Sequence, residues 1–504
     1  MSLQIEPFTN EYALYLRDES RSTGEAAYIA FPSDESGVQD ALAFARANGL
    51  PVTTQGGRTG LAAGAVPHGG LVLNLSRMDK IPGPERDGGS VLLRVQPGAL
   101  LVNVRKYIEG MRAEYGPLFF PPDPTETTAS IGGMIACNAS GARTYSYGAT
   151  RKHVEGLRVV LADGRTVTLR RGEQKTSGRR LGLHCDDGST IDLQLPSYRM
   201  PAVKNASGYY IEDGMDAVDL FTGSDGTLGV VTEALLKLTP LPQQIWETGC
   251  LFRTEKDALD FTDMARRECR LASLEYFDRG ALQVLRDRKR WDASLCGIAD
   301  VPEDAVSLIF AEIHADSREE AFGELRKLSA CLKSCGGDPD AAWFGWNAAD
   351  IRRFQAFRHA VPESVNMLID ERRKTEPGIT KLGTDMSVED KDLRAVFAMY
   401  REGLAELGLQ SAIWGHIGNN HVHVNILPSS MDEYRRAKEL YARWAQRVTE
   451  LGGAVSAEHG VGKLKANFLE IMYGPQAVSG MRALKRSLDP SGMLDPGNLF
   501  APEG

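Results

Sequence analysis

Over residues 421–427 polar and apolar positions alternate, so His421, His423 and Asn425 share one face of an extended strand while Val422, Val424 and Ile426 share the other. Ser411-Ala412-Ile413-Trp414-Gly415-His416 reads as a second strand, and Ile417-Gly418-Asn419-Asn420 between them has turn chemistry. The pattern predicts a hairpin with one apolar face and one lined by imidazoles. Further upstream, short β-type runs recur at 27–31, 51–54, 71–75, 91–95 and 157–161. A helix is predicted over 33–48, where Val38, Ala41, Leu42 and Phe44-Ala45 fall at helical spacing behind the capping sequence Pro32-Ser33-Asp34-Glu35. Longer helical stretches follow at 255–269, 318–334 and 389–407, with an amphipathic helix at about 431–451. Residues 169–199 are charged and irregular and read as a surface excursion. There is no internal repeat, and the class is α+β.

Composition changes near Pro240-Leu241-Pro242, from glycine-rich sequence to longer charged helices, and returns to glycine-rich sequence after Ser411. This suggests three parts, 1–242, 243–410 and 411–504, within a chain of 504 residues that is 42% apolar and able to bury a large core. A net charge of −9 without a basic block argues against nucleic acid or an anionic membrane surface as the main partner. No apolar run reaches the roughly 18 residues of a membrane span. The charged start, with Glu6, Glu11, Arg17, Asp18 and Glu19, is unlike a secretory signal, so a cytoplasmic location is expected. Seven scattered cysteines fit a reducing compartment. None forms a CxxC or the clustered run of an iron–sulfur segment, so any electrons must leave to another protein or a diffusible acceptor.

Three loops carry glycine where backbone N–H groups could converge on phosphate oxygens: 55–64, 129–141 behind Pro121-Pro122-Asp123-Pro124-Thr125, and 223–231. None is a P-loop or a GxGxxG running into a helix. Together they imply one long phosphorylated ligand. Four of the nine histidines fall in two strings, His416 to His423 and Glu458-His459-Gly460. Imidazole is both a common ligand for zinc-like metals and the usual proton shuttle near neutral pH, so this set suggests a metal site with a base beside it.

In order and content these five motifs resemble the FAD-linked D-2-hydroxyacid dehydrogenases of the vanillyl-alcohol-oxidase type, over about residues 25–500. This group includes D-lactate dehydrogenase, the glycolate oxidase FAD subunit and D-2-hydroxyglutarate dehydrogenase. The resemblance implies a two-part PCMH-type FAD-binding domain, an α/β cap, and a C-terminal segment closing the active site. It implies FAD contacts at Gln55, Gly56, Gly57, Arg58, Thr59 and Gly60, at Pro122, Asp123, Ile131, Gly132, Gly133, Asn138, Ser140 and Gly141, and at Gly226, Gly229 and Val230. By the same resemblance a divalent metal, zinc or manganese, sits on His416, His423 and Glu458. Catalytic roles fall on His459 and Asn425, and grips on the substrate carboxylate fall on Arg358 and Lys381. The implied reaction oxidises a D-2-hydroxy acid to the 2-oxo acid by metal-assisted proton abstraction and hydride transfer to non-covalent FAD.

The implied partners are the small acid and a separate electron acceptor: an iron–sulfur subunit, an electron-transfer flavoprotein, a cytochrome or a quinone. Such a partner would make membrane association peripheral, and a homodimer fits the family. Two positions depart from the pattern. The turn, usually Gly-Asp-Gly-Asn, is Gly418-Asn419-Asn420-His421, so His421 is either a fourth ligand or a partner behind the ligands; and Asp495 stands where the closing Asn-Pro-Gly has Asn. Two rival readings are a non-catalytic or electron-transfer subunit, which needs no metal-ligand set, and a flavin-free metallohydrolase, which needs no glycine loops.

Overall fold

The computed structural model describes residues 3–501 and builds them around three principal sheets. In the first, Tyr28–Ala30, Leu71–Asn74 and Val52–Gln55 run parallel, with Ile5–Pro7 antiparallel at the edge. The predicted helix forms over Glu35–Ala47: the Asp34 carboxylate accepts from Gly37 N at 3.0 Å, and Val38, Ala41, Leu42 and Ala45 pack onto the sheet. The second sheet is antiparallel, in the order Gly83–Asp87, Ser90–Val95, Val230–Lys237, Val154–Val160, Thr166–Arg170. Val160, Ala162 and Val230 join the core of the first sheet, which fuses the two into one lobe.

Residues 169–199 are more ordered than their composition suggests. Arg180–His184 pairs with Thr190–Gln194, and Leu181, Leu183, Leu193 and Leu195 are buried beneath this hairpin. The charges alternate with these leucines and lie on the outer face, which hides a period-2 pattern behind a polar average.

The third sheet has seven antiparallel strands, in the order Trp343–Gly345, Gln244–Phe252, Ser307–Ala315, Ser273–Asp278, Ser411–His416, His421–Ile426, Leu382–Gly383. The predicted histidine hairpin is therefore an inner part of the cap sheet, so 243–410 and 411–504 share one sheet across the compositional break. One face carries Trp246, Cys250, Ile309, Ile313, Ile413, Val422, Val424 and Ile426, packed under the helices Glu255–Glu268, Arg318–Ser334, Leu393–Leu407 and Met431–Glu450. The opposite face is divided. Phe277, Leu308, Phe310 and Ala412 lie under the helices Arg279–Lys289 and Ala348–Arg372. By strand alternation that same face also bears Glu247, Glu312, Ser273, Glu275, His416, His421, His423 and Asn425. This polar half meets the first lobe.

The lobes are joined there by charge. Arg143 of the first lobe donates from Nη2 to Glu312 Oε1 at 2.7 Å and from Nε to both Glu312 oxygens at 3.2 Å. Tyr147 OH meets His314 Nδ1 at 2.7 Å, and His314 Nε2 lies 2.9 Å from Glu312 Oε1. Burial alone would raise the Glu312 carboxyl, but Arg143 and His314 hold it well below the usual range. Removing the arginine would leave an acid buried beside Glu247 and Asp123. Arg143→Met should destabilise the docked state by about 3–5 kcal/mol, the cost of orphaning one member of a buried pair. The urea midpoint should fall and hydrogen exchange should rise first along Ser307–Ala315; an unchanged midpoint would show that the lobes are held otherwise.

Candidate active site at the lobe interface

The hairpin places His416 opposite His421 and Trp414 opposite His423. Asn420 occupies the left-handed region (φ 52°), where the related turn has glycine, and its amide donates to Val388 O at 3.0 Å and Asp390 Oδ1 at 2.7 Å. Two of the imidazoles are tied from behind. His416 Nδ1 donates to Glu275 Oε1 at 2.7 Å, and His423 Nδ1 donates to Thr384 O at 2.9 Å. A carboxylate or a carbonyl can only accept, so both rings carry their proton on Nδ1 and turn Nε2 inward. Both Nε2 atoms lie 3.3 Å from the same oxygen, Glu458 Oε1. That is the preorganisation expected of metal-binding histidines, whose far nitrogen is held by an acceptor. Without an ion, burial disfavours the His416 imidazolium, but Glu275 and Glu458 outweigh it and raise this group to about 9.

Asp385 organises the other half of the site and is fully buried. Its Oδ2 accepts from Ser456 Oγ and Lys465 Nζ, each at 2.6 Å, and from the backbone N of His459 at 3.0 Å. Its Oδ1 accepts from Glu458 N at 3.2 Å. One carboxylate thus shapes the turn that presents both Glu458 and His459. The His459 ring stacks on His423 at 5.0 Å, with Nδ1 3.5 Å from Asp385 Oδ2 and Nε2 3.5 Å from Glu458 Oε1. Burial, against the pull of Asp385, brings His459 down to about 4, so the ring is neutral at pH 7. Asn425 is buried on the same sheet face, where its amide donates to His423 O at 3.2 Å.

Four charged residues that sequence reading did not single out complete this site. They are Glu275, Asp385, Lys465 and Lys204; the last donates to Glu458 Oε2 at 2.6 Å. Glu275 and Lys204 lie on stretches without a motif of their own, whereas Asp385 ends the string that carries Lys381 and Lys465 follows shortly after Glu458-His459-Gly460.

The two expected cap cations are placed differently. Arg358 Nη2 is engaged with the buried Glu247 Oε1 at 3.1 Å and is itself partly exposed, so in this state it is an ion-pair member rather than a free anion grip. Lys381 stands 6.0 Å from the Trp414 ring, and burial with nearby Arg21 lowers its ammonium to about 8.

The glycine loops converge, but several of their glycines serve chain-to-chain contact. A Cβ on Gly56 would lie 1.9 Å from Ser130 Oγ, on Gly57 2.6 Å from Thr128 O, on Gly132 2.6 Å from Pro97 Cβ and on Gly141 1.8 Å from Asp123 O. The first loop is thus pressed onto the second, with Gly57 N donating to Ser130 Oγ at 3.2 Å. Gly229 meets Val159 and Gly226 meets Asp495 in the same way. Gln55 Nε2 donates to Tyr15 O and Ala65 O, both at 2.7 Å, and the Asp123 carboxylate accepts from Arg105 Nη2 at 2.7 Å, so both side chains are used within the protein. Arg58 lies at φ 57°, which explains why glycine suits that position, and its guanidinium stacks on Tyr15. Asn138 binds Arg151 N through Oδ1 at 2.9 Å, and Ser140 Oγ reaches Glu458 Oε2 at 3.2 Å, which joins the second loop to the histidine site.

A polar ligand fits beside the first loop. Buried oxygens without a protein partner, Asp18 Oδ2, Thr53 Oγ1, Thr54 Oγ1 and Asp495 Oδ2, lie on the strand that feeds it or against it. The Gly60 edge stays open, with only Asp18 Oδ2, at 4.0 Å, within reach of a built Cβ, whereas at Gly133 a Cβ would meet Ser130 Oγ at 3.1 Å. Asp495, the departure noted in sequence, accepts from Thr54 N at 3.0 Å through Oδ1. Burial pushes it up to about 6.

The architecture is that of the PCMH-type flavoenzymes. The chain superposes on p-cresol methylhydroxylase with a TM-score of 0.68 at 14% identity, covering 99% of this chain and 94% of that one. A 4-ethylphenol oxidase from Gulosibacter chungangensis gives 0.67 at 16%, with the same coverages. Residues 26–170 match the FAD binding domain model, and residues 241–499 match the model of the C-terminal domain of FAD linked oxidases. The chain belongs to this FAD-linked oxidase family and is an FAD-dependent oxidoreductase. Its relatives include the glycolate oxidase subunit GlcD of Bacillus subtilis, 27% identical over 94% of this chain and 88% of that protein. The D-lactate dehydrogenase of Archaeoglobus fulgidus is 27% identical over 94% and 90%, and the D-2-hydroxyglutarate dehydrogenase of Xanthomonas citri pv. viticola 29% over 99% and 94%.

The dependence of the site on Asp385 is measurable. Asp385→Asn should cost at least about 3 kcal/mol, because Lys465 would be left buried without its counter-charge. Ser456→Ala, which deletes one neutral donor, should cost about 1 kcal/mol. Equal urea midpoints for the two variants would contradict the central role of the carboxylate.

Proposed function

We propose that the protein oxidises a D-2-hydroxy acid of the D-lactate, glycolate or D-2-hydroxyglutarate class to its 2-oxo acid, using a divalent ion, zinc or manganese, held by His416, His423 and Glu458. The observation that carries this reading is the pair of imidazoles whose Nδ1 protons are tied to Glu275 and Thr384 while both Nε2 atoms face one Glu458 oxygen. A second grouping, Asp385, His423 and His459, lies within the same reach, but Asp385 is already saturated by protein donors, so the first set suits an ion better. An ion there would supply Lewis-acid polarisation of the substrate hydroxyl, and FAD would supply the hydride acceptor.

The protein's own part is positioning and proton transfer. His459, neutral and backed by Asp385 on its Nδ1 side, presents Nε2 toward the Glu458 side of the site and is the base for the hydroxyl proton. Asn425 lies two residues beyond His423 on the same face, as an amide for substrate oxygen. Lys381, and Arg358 once exchanged from Glu247, are the candidate cations for the carboxylate. Residues 1–242 form the FAD-binding lobe in this reading, the shared sheet joins the hairpin Ser411–Ile426 to 243–410 as the substrate lobe, and Val461, Leu469, Met481, Leu484, Leu488 and Leu499 pack back into the core of the first lobe. Electrons leave to a separate acceptor, in keeping with a relative named as an oxidase subunit.

The flavin is held non-covalently in this reading. Cys137, the cysteine of the second loop, is a poor nucleophile because burial pushes its thiol up to about 12. Acid precipitation of the yellow protein should leave the flavin in the supernatant, and flavin retained in the pellet would refute this. Exhaustive chelation should abolish bleaching at 450 nm by D-lactate, glycolate or D-2-hydroxyglutarate without changing the flavin spectrum, with zinc or manganese restoring it. Full activity in metal-free enzyme would overturn the assignment. Lys381 gives a pH signature. Its charge is complete below about 8 and is lost as pH rises through that value, so KM for the acid should climb above pH 8. Lys381→Arg should flatten that rise, and an identical profile in the variant would remove Lys381 from substrate binding.

A further inference from the structure

His421 occupies the place where the related turn carries asparagine, and it stands among the donors. Its ring centroid is 4.5 Å from that of His423 and 5.5 Å from that of His416. One nitrogen each from His416, His421 and His423 and one oxygen of Glu458 lie within 4.8 Å of one another. Four protein donors make a closed tetrahedral zinc site, whereas a catalytic ion keeps a position for substrate. Something must decide whether this imidazole joins.

Lys204 is placed to decide it. Its Nζ lies 3.2 Å from His421 Nδ1 and 2.6 Å from Glu458 Oε2, and its side chain is 3% exposed. An ammonium has donors and no acceptor, so His421 Nδ1 must receive the hydrogen bond with its lone pair. The proton of the neutral ring then sits on Nε2, 3.0 Å from Asp385 Oδ1 although not well aligned with it. Neither nitrogen of His421 keeps a free lone pair. His416 and His423 show the reverse pattern, with Nδ1 donating backward and Nε2 turned inward toward Glu458 Oε1. Lys204 is itself anchored, since its carbonyl accepts from Ser387 Oγ at 2.5 Å and Ser387 bridges to His421 across the sheet edge.

We propose that Lys204 is a built-in cation that holds His421 off the metal and keeps the site at three protein ligands. It occupies the third imidazole of the set and the second oxygen of Glu458 at once. The proposal rests on the metal reading above and is specific to this chain, because asparagine at 421 would need no such restraint. Removing the ammonium frees His421 Nδ1 and Glu458 Oε2 together, and the ion should then gain a ligand and lose its open position.

The test uses zinc-loaded holoenzyme and its zinc X-ray absorption spectrum, which counts imidazoles without reference to turnover. Wild type should show two imidazoles, and Lys204→Met should show three. The variant should bind zinc at least about tenfold more tightly, the scale on which groups behind the ligands act. It should keep FAD while losing substrate-driven bleaching. The double variant Lys204→Met/His421→Asn should return to two imidazoles. His421→Asn alone should also keep two, an outcome that does not depend on the folding of the lysine variant. Three imidazoles in wild type, a count that drops in His421→Asn, or an unchanged count and affinity in Lys204→Met would each overturn the proposal while leaving the metal reading intact. Wild type that takes up neither zinc nor manganese would overturn the metal reading and this proposal with it.

Discussion

The Asp385 carboxylate is the constraint around which the site is arranged. A fully buried anion is tolerated only when its oxygens are met by donors and its charge is balanced. Here the donors come from Ser456, Glu458 N, His459 N and Lys465, so satisfying one side chain fixes the backbone of 456–459 and the position of Lys465. The geometry of Glu458 and His459 follows from that requirement. Their side chains need not be held by extensive packing of their own, because the turn that bears them is held.

The remaining charges follow the same logic outward. Glu458 is balanced by Lys204 and His416, His416 by Glu275, Glu312 by Arg143, and Glu247 by Arg358. Burial by itself would push Glu458, Asp385, Glu312 and Glu247 toward their neutral forms. The paired cations reverse that for Glu458, Asp385 and Glu312, whereas Glu247 stays raised to about 7 with one oxygen unpartnered. A row of alternating charge therefore runs along the polar half of the cap sheet. It is both the attachment of the cap to the first lobe and the wall of the site, so chemistry and docking are coupled through the same side chains.

The glycines of the three loops show how an anion-binding expectation changes in three dimensions. Glycine permits a close approach, but the approaching atom is often protein: Ser130, Thr128, Pro97 and Asp123 fill the spaces that side chains would need. These contacts bring the loops within reach of one another, leaving the edge at Gly60 open. The unpartnered oxygens of Thr53, Thr54, Asp18 and Asp495 beside them are what a polar cofactor would satisfy.

Sequence alone determined the local structures whose causes are local. The helix Glu35–Ala47 is set by its Asp34 cap and apolar stripe, and the hairpin Ser411–Ile426 by strict alternation on either side of a turn; the five ordered motifs carried the family. That the side chains of His416, His423 and Glu458 come together was also legible, through the resemblance of the two histidine-bearing strings to the family's motifs. Tertiary structure decided what depends on chain segments far apart. It joined the hairpin to the cap sheet, resolved the leucines of 180–195 into a buried hairpin, and turned Arg358 and Asp123 into ion-pair members. It also brought Asp385, Lys465, Glu275 and Lys204 to the histidines. Hydrogen bonding and charge balance act through space over a few ångströms, and a one-dimensional pattern records residue types but not which buried charges must neutralise each other.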